Sequence, residues 1–311
     1  MIATVTLNPA LDQHVEVDNL VLDDTNRWVS FKRQPGGKGI NVSRVLRELG
    51  GDTVAYGFIG GHAGDDIERL LKEEGVHTDF TRIKTEIRSN FIITDLKTHR
   101  QTRISAPGPR VTPGEFKKLL DRITGLKPRP QYIIFAGSVP PGVPYYIYRE
   151  LIDRMKVLGI RTVLDAADMW LIEGIHARPD IIKPNVREAQ TLLGVELKTE
   201  EDIICAVKTI VGMGVGIAAI SRGPDGMIIA DGNVILKVVP PQVEVMSTVG
   251  AGDSTVAGLV FKLSEGGSLE EASRLAVAAG TAATLTPGTE LCHKEDVERL
   301  LPLVKVEKMP N

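Results

Sequence analysis

From about residue 107 onward, apolar positions in the chain alternate between two patterns. Helix-like segments with apolar residues three and four apart are followed by short runs that are apolar throughout. Phe116, Leu119, Leu120 and Ile123 share one helical face. Before them, Thr112-Pro113-Gly114-Glu115 supplies an N-cap, a proline at the first helical position and a glutamate at the third. Tyr132–Ala136 is a run of the kind buried on both faces of a parallel sheet. The same reasoning predicts helices over 145–158, 186–193 and 200–212, and strands at Thr162–Leu164, Asp180–Ile182 and Gly216–Ser221. Val234–Val239 reads as a further strand, and Val256, Leu259, Val260 and Leu263 recur at helical spacing after it. This alternation predicts a parallel sheet between two layers of helices.

The first hundred residues follow a different pattern. Met1–Leu7 reads as a first strand, and Val42, Val45, Leu46 and Leu49 mark a helix. Between and after these, His14–Val17, Trp28–Lys32 and Ser89–Ile104 show polar alternation with few helices among them. They predict a small sheet, about 12–34 and 87–106, projecting as a lid from a single domain that spans 1–311. With one face exposed, such a sheet suits closure over a site or a contact between subunits.

Several glycine-rich or polar turns sit where a strand hands over to a helix. Thr248-Val249-Gly250-Ala251-Gly252-Asp253-Ser254 is the most informative. Its glycines allow a tight turn, and the free N–H groups of the helix start favour an anion. A carboxylate, Asp253, beside such an anion hole suits a base that deprotonates the group attacking the anion. A plain N-cap is the alternative. Pro35–Asn41 is a second glycine-rich turn, without the spacing of a Walker loop. It reads as a tight turn or as a surface for a polyhydroxy ligand. Asp12, read at the end of the first strand, could accept bonds from vicinal hydroxyls or make a local Asx-turn. Asn185 and Glu188 stand three apart at a helix start, spaced either for a water-bound Mg²⁺ or for a capping box. Ser221–Gly226 is a turn that could close over nucleotide phosphates or be an ordinary β-turn.

Composition narrows the classes. The chain has 311 residues and a net charge of −3. Its basic residues are scattered, which argues against nucleic acid as a partner. Cys205 and Cys292 lack metal-ligand spacing and read as free thiols. The Ala- and Thr-rich uncharged run Leu275–Thr289 falls short of a membrane span and reads as a buried helix. A soluble, cytoplasmic protein with no membrane partner is expected.

In order along the chain, Asn8–Asp12, Pro35–Asn41, Gly57–Gly61, Gly137–Gly142, Lys183–Glu188 and Thr248–Ser254 resemble the ribokinase-like, or phosphofructokinase B, carbohydrate kinases. Within them, the resemblance is to the sugar-phosphate branch. Val238–Pro241, Ser247–Ser254 and Ala278–Cys292 look most like the minor 6-phosphofructokinases. Asn26-Arg27 and Gly36–Gly39 look more like 1-phosphofructokinase and tagatose-6-phosphate kinase. Lys38 departs from the former pattern, which has glycine there, and Asp165–Asp168 departs from the usual Asp-(Ser/Thr)-Ser-Gly.

The resemblance implies a three-layer α/β/α fold with a mainly parallel central sheet and a β lid, and an ATP-dependent kinase of a ketohexose phosphate. Fructose 6-phosphate is the expected substrate, with 1-phosphofructokinase or tagatose-6-phosphate kinase as the alternative. A nucleoside kinase, another sugar kinase and a non-catalytic sugar-phosphate sensor stand behind these. By the same resemblance Asp253 is the base, and Gly250, Ala251 and Gly252 form the anion hole. Asp12, Gly36, Gly37, Lys38, Asn41 and Ser138 would hold the sugar, and Arg27, Arg88 and Arg103 its phosphate. Lys183, Asn185, Ser221, Gly223, Gly226, Thr248, Val277 and Thr281 would serve ATP. Asn185 and Glu188 would serve Mg²⁺, and oxygens of Ser247, Val249, Ala283, Thr286 and Gly288 a K⁺ ion. A homodimer through the lid is expected.

Overall fold

Alternation of side chains along the central strands builds two cores rather than one. In the computed structural model, which describes residues 1–310, the central sheet has eleven strands. Its middle runs parallel in the spatial order Thr53–Ile59, Ile2–Thr6, Tyr132–Ala136, Arg161–Asp165, Ile181–Ile182, Ile217–Ser221. Val5, Ile133, Phe135, Leu164 and Ile220 enter one core. Their neighbours Ile2, Tyr132, Ile134, Val163 and Ala219 enter the other. Helices Gly61–Glu73, Pro113–Thr124, Ile147–Val157 and Glu200–Gly212 close the first. Lys38–Glu48, Ala251–Ser264, Leu269–Ala282 and Lys294–Leu300 close the second. Each large apolar side chain removed from water contributes roughly 1.5–3 kcal/mol, so strands buried on both faces fix the expected α/β/α layering.

The helices start where the sequence places its caps. Thr112 and Glu115 form a reciprocal capping box, as do Asn185 and Glu188. Val186–Leu193 and Glu200–Gly212 have the expected limits. No helix of the described residues is long and apolar enough to cross a membrane. Cys205 and Cys292 are both unpaired.

The central sheet is mainly parallel, as expected, and two expectations about strands are corrected. The parallel middle carries an antiparallel edge, in which Met227–Ala230, Ile235–Val239 and Lys305–Met309 continue the sheet beyond Ile217–Ser221. The tight turn at Gly223–Asp225 reverses the chain and replaces a crossover helix. The segment Ser89–Ile104 is two strands, Arg88–Asp95 and Arg100–Ile104, because the Asp95 carboxylate accepts from the Lys97 and Thr98 amides and turns the chain. Asp12 does not end the first strand. That strand stops at Thr6, and Asp12 lies within a new one, Ala10–Val17.

Ala10–Val17 belongs to a separate four-stranded sheet, ordered Trp28–Gly36, Ala10–Val17, Arg88–Asp95, Arg100–Ile104. Its inner pair is parallel and its outer pairs are antiparallel. Trp28, Val29, Phe31, Phe91 and Ile104 of this small sheet are exposed.

Candidate active site

The first strand sits between Tyr132–Ala136 on one side and Thr53–Ile59 on the other, so chain order reverses across it. Ligands of open α/β sheets bind beyond the carboxyl ends of the strands at such a switch point. A cleft of about 800 Å³ opens there. Asn8, Ser138, Asp165, Lys183 and Ser221 line it from at or just beyond five strand ends. Asp12, Arg88, Asn90, Ile92 and Arg103 of the small sheet line it from above.

Helix starts bring partial positive charge to the same place. Gly37, Asn185 and Gly250 are the N-caps of Lys38–Glu48, Val186–Leu193 and Ala251–Ser264, and all line the cleft. Gly250 has φ 78°, a left-handed geometry that glycine adopts without a Cβ penalty. No side chain caps that helix start, so its amides remain open to an anion.

Asp253 sits in the first turn of that helix, buried, with its Oδ2 accepting from Asn41 Nδ2 at 2.8 Å. Burial pushes its carboxyl up to about 6; Lys38, Lys183 and the Asn41 bond pull it down, and Asp165 pushes it up. Asp165 is buried at the floor of the cleft. Lys38 Nζ and Lys183 Nζ reach its Oδ1 at 3.3 and 3.7 Å, and its Oδ2 has no hydrogen-bond partner among the described residues. Burial opposes the charge on Asp165, but the two lysines overcome it and hold the carboxyl below its ordinary value. Burial also opposes the charge on Lys38, and Asp165, Asp253 and Glu188 raise its pKa despite that.

At the other end of the cleft, Asp12 Oδ1 accepts from Asn90 Nδ2 at 2.8 Å. Burial raises the Asp12 pKa against the pull of Asn90, Arg103 and Arg88. Arg88 donates to the carbonyls of Ala106 and Asn8 at 3.0 and 2.9 Å, while its buried Nε–H has no partner among the described residues. The guanidinium is thus fixed in place with donors left for an anion. Asn8 Nδ2 bridges Pro107 O and Ser138 Oγ at 3.0 and 3.2 Å.

The fold therefore brings Asp12, Gly37, Lys38, Asn41, Arg88, Arg103, Ser138, Lys183, Asn185, Glu188, Ser221, Gly223, Thr248, Val249, Gly250, Gly252 and Asp253 to one cleft. Ala251 lies in the same turn, and Gly36 lies directly against the Asp12 carboxylate. Other residues expected at the site do not line it. Arg27 is exposed in the connection between two small-sheet strands. Gly226 packs against Val238, and Thr281 donates to the Val277 carbonyl within helix Leu269–Ala282. Ser247, Ala283, Thr286 and Gly288 form a neighbouring loop cluster in which Ser247 Oγ donates to Gly288 O and Thr286 Oγ1 lies 2.9 Å from Ala283 O. Asp165, Asn8, Asn90 and Thr289 also line the cleft, and sequence reasoning gave them no role.

Chemically, the arrangement can hold an anion at a helix start beside a buried carboxylate of raised pKa, with cations at both ends. That is the equipment of a phosphotransferase. The model of the pfkB family carbohydrate kinases matches residues 5–296, and the chain belongs to this family. It is 34% identical to the 1-phosphofructokinase of Bacillus subtilis, over 99% of this chain and 100% of that protein. It is also 34% identical to the ATP-dependent 6-phosphofructokinase isozyme 2 of Escherichia coli, over 96% of this chain and 97% of that protein. The crystal structure of phosphofructokinase-2 from Escherichia coli in complex with potassium superposes with a TM-score of 0.93, at 34% identity, covering 97% of this chain and 98% of that one.

Proposed function

We propose that the cleft transfers the γ-phosphoryl group of ATP to a ketohexose phosphate, converting fructose 6-phosphate to fructose 1,6-bisphosphate. The observation that carries this reading is Asp253, a buried carboxylate of raised pKa at the open amides of Gly250–Asp253, in one cleft with Arg88. Asp253 takes the proton of the attacking hydroxyl as the new oxygen–phosphorus bond forms and the bond to ADP breaks. A loose transition state lets that proton leave late, so an aspartate suffices as base. The amides of the turn and Lys183 hold the transferred group, while Asp12, Asn41 and Ser138 orient the sugar. Arg88 and Arg103 bind the phosphate that the substrate already carries.

Asn185 and Glu188 fit Mg²⁺ only in part, because each caps the other: Asn185 Oδ1 accepts from the Glu188 amide and Glu188 Oε2 from the Asn185 amide. The described residues hold no cluster of three or more acidic, His or Cys ligands. This suits an ion carried chiefly by ATP oxygens and water, which neutralises phosphate charge when bound. The carbonyls of Val249, Ala283 and Gly288 are hard oxygen donors of the kind K⁺ prefers, and the potassium complex of the Escherichia coli relative supports that assignment. The exposed aromatic and aliphatic residues of the small sheet support a homodimer through it.

Lys38 favours a second reading, 1-phosphofructokinase, which yields the same product. Its Nζ is tied to Asp165 in the cleft, where the minor 6-phosphofructokinase pattern has glycine. Coupled ADP release with Mg·ATP separates these readings when kcat/KM is compared for fructose 6-phosphate, fructose 1-phosphate, tagatose 6-phosphate, free fructose and a nucleoside. Fructose 6-phosphate as best substrate supports the proposal, and fructose 1-phosphate supports the second reading. A preference for an uncharged substrate overturns both.

A further inference from the structure

The small sheet is tied to the loop before Glu290 by a relay of three polar side chains. His14, on Ala10–Val17, places Nε2 2.5 Å from Thr289 Oγ1. Thr289 Oγ1 donates to Gln34 Oε1 at 2.6 Å, from Trp28–Gly36. The threonine proton is thereby committed to Gln34, so His14 Nε2 must be the donor to the threonine oxygen. A neutral ring with its proton on Nε2 fulfils that role. Burial, then Arg103 and Lys32, pull the His14 pKa down to about 4, against a smaller upward pull from Glu16.

The relay continues toward the turn that holds Asp253. Thr289 is buried and lines the cleft. Its neighbour Gly288 has φ +67°, and a Cβ there would lie 2.9 Å from His14 Nδ1, so both backbone and ring demand glycine. Ser247 Oγ donates to Gly288 O at 2.7 Å and accepts from Val249 N at 3.3 Å. Val249 directly precedes Gly250, the N-cap of the helix that carries Asp253. A continuous path of side-chain and main-chain contacts thus joins two strands of the small sheet to the anion-binding turn.

We propose that His14, Thr289 and Gln34 form a latch that seats the small sheet on the loop 286–289 and, through Ser247, positions the turn Gly250–Asp253 for phosphoryl transfer. The inference rests on the reading of that turn as the phosphoryl site. His14 and Gln34 act as positioning residues, since the atoms they contact are those of Thr289 rather than the transferred group.

The test uses the full chain with His14→Phe, which keeps a ring but removes the donor, His14→Gln, which restores a donor, and Gln34→Leu. Loss of one hydrogen bond in the relay corresponds to about a tenfold effect. His14→Phe and Gln34→Leu are expected to lower kcat about tenfold with KM for sugar phosphate and ATP changed less than about twofold, and His14→Gln to recover most of the loss. Amide hydrogen exchange should quicken about tenfold in residues 247–253 and 286–290 of His14→Phe, while the central strands stay protected. Unchanged exchange in those two segments, or exchange raised equally throughout the chain, overturns the latch. If the wild-type chain fails to phosphorylate any sugar phosphate, the functional reading falls, and the exchange pattern still decides the latch. Should His14→Phe fail to fold, Gln34→Leu carries the same comparison.

Discussion

Asn41 and Asp253 come from helices more than two hundred residues apart, yet their side chains meet at 2.8 Å, with the Asn41 amide donating to Asp253 Oδ2. The bond favours the charged carboxylate and so works against burial, which holds Asp253 up at about 6. A base must be ionised to act, so kcat/KM should fall as pH drops through about 6. Asn41→Leu removes the donor and should move that acid limb to higher pH. A pH–rate profile on both forms checks this; an unmoved limb would dissociate the bond from the basicity of Asp253.

Asp253→Asn should separate activity from stability. The folded state binds the Asp253 proton more tightly than the unfolded chain, so this group lowers stability as pH rises from its ordinary value through about 6. Replacing it with a neutral amide removes that penalty, which is at most about 3 kcal/mol above pH 7. The expected variant is inactive by on the order of a thousandfold or more in kcat, with modest change in KM, yet melts at higher temperature. Calorimetry near pH 7.5 alongside turnover provides the check, and retained turnover refutes the base.

Local signals carried much of this architecture. Glycine turns marked Gly37 and Gly250, and a polar cap spacing marked Asn185, because caps and turns depend on neighbours a few residues away. Apolar runs marked the parallel strands for the same reason. What stayed hidden depends on distant partners. Asp165 stands out in the sequence only as the first residue of an unusual Asp-Ala-Ala-Asp run. Its importance comes from Lys38, 127 residues away, and from Lys183. Asn90 is likewise unmarked until the parallel pairing of Ala10–Val17 with Arg88–Asp95 sets it opposite Asp12. The antiparallel edge is not legible locally, because it rests on the pairing of Ile217–Ser221, Met227–Ala230, Ile235–Val239 and Lys305–Met309.

The Asp165 site predicts an unequal response to removing its members. Asp165→Ala leaves Lys183, itself buried, without its carboxylate, together with Lys38. Breaking a buried pair by deleting one partner costs about 3–5 kcal/mol. Lys38→Met leaves Asp165 still paired with Lys183 and should cost clearly less. Urea unfolding of the two variants distinguishes them; equal losses would mean that Lys183 does not support the pair. Because Asp165 raises the Asp253 pKa, its removal should also lower the acid limb of the rate profile.

Arg88 is fixed by two main-chain carbonyls and keeps in the cleft wall a buried Nε–H that has no partner among the described residues. Charge-assisted bonds from such a group to a phosphate contribute about 1.5–3 kcal/mol. Arg88→Ala should therefore raise KM for the sugar phosphate by on the order of tens of fold, with little change for free fructose. Arg88→Lys should recover only part of the loss, since an ammonium cannot reproduce the planar fork. Equal effects on phosphorylated and free sugars would remove Arg88 from phosphate recognition.

The small sheet exposes Trp28 at 65% and Phe31 at 37%, and the two rings stack at 5.4 Å. Exposed stacked aromatics beside Val29, Phe91 and Ile104 form an apolar surface that water disfavours, and a second copy of the sheet can cover it. Trp28→Asp places a charge in that surface without touching either core of the central sheet. The wild-type chain is expected to sediment as a dimer and the variant as a folded monomer with native circular dichroism. Because the same small sheet carries Asp12 and Arg88 into the cleft, the monomer should show a raised KM for the sugar phosphate. A wild-type chain that sediments as a monomer at micromolar concentration would show that this surface has another use.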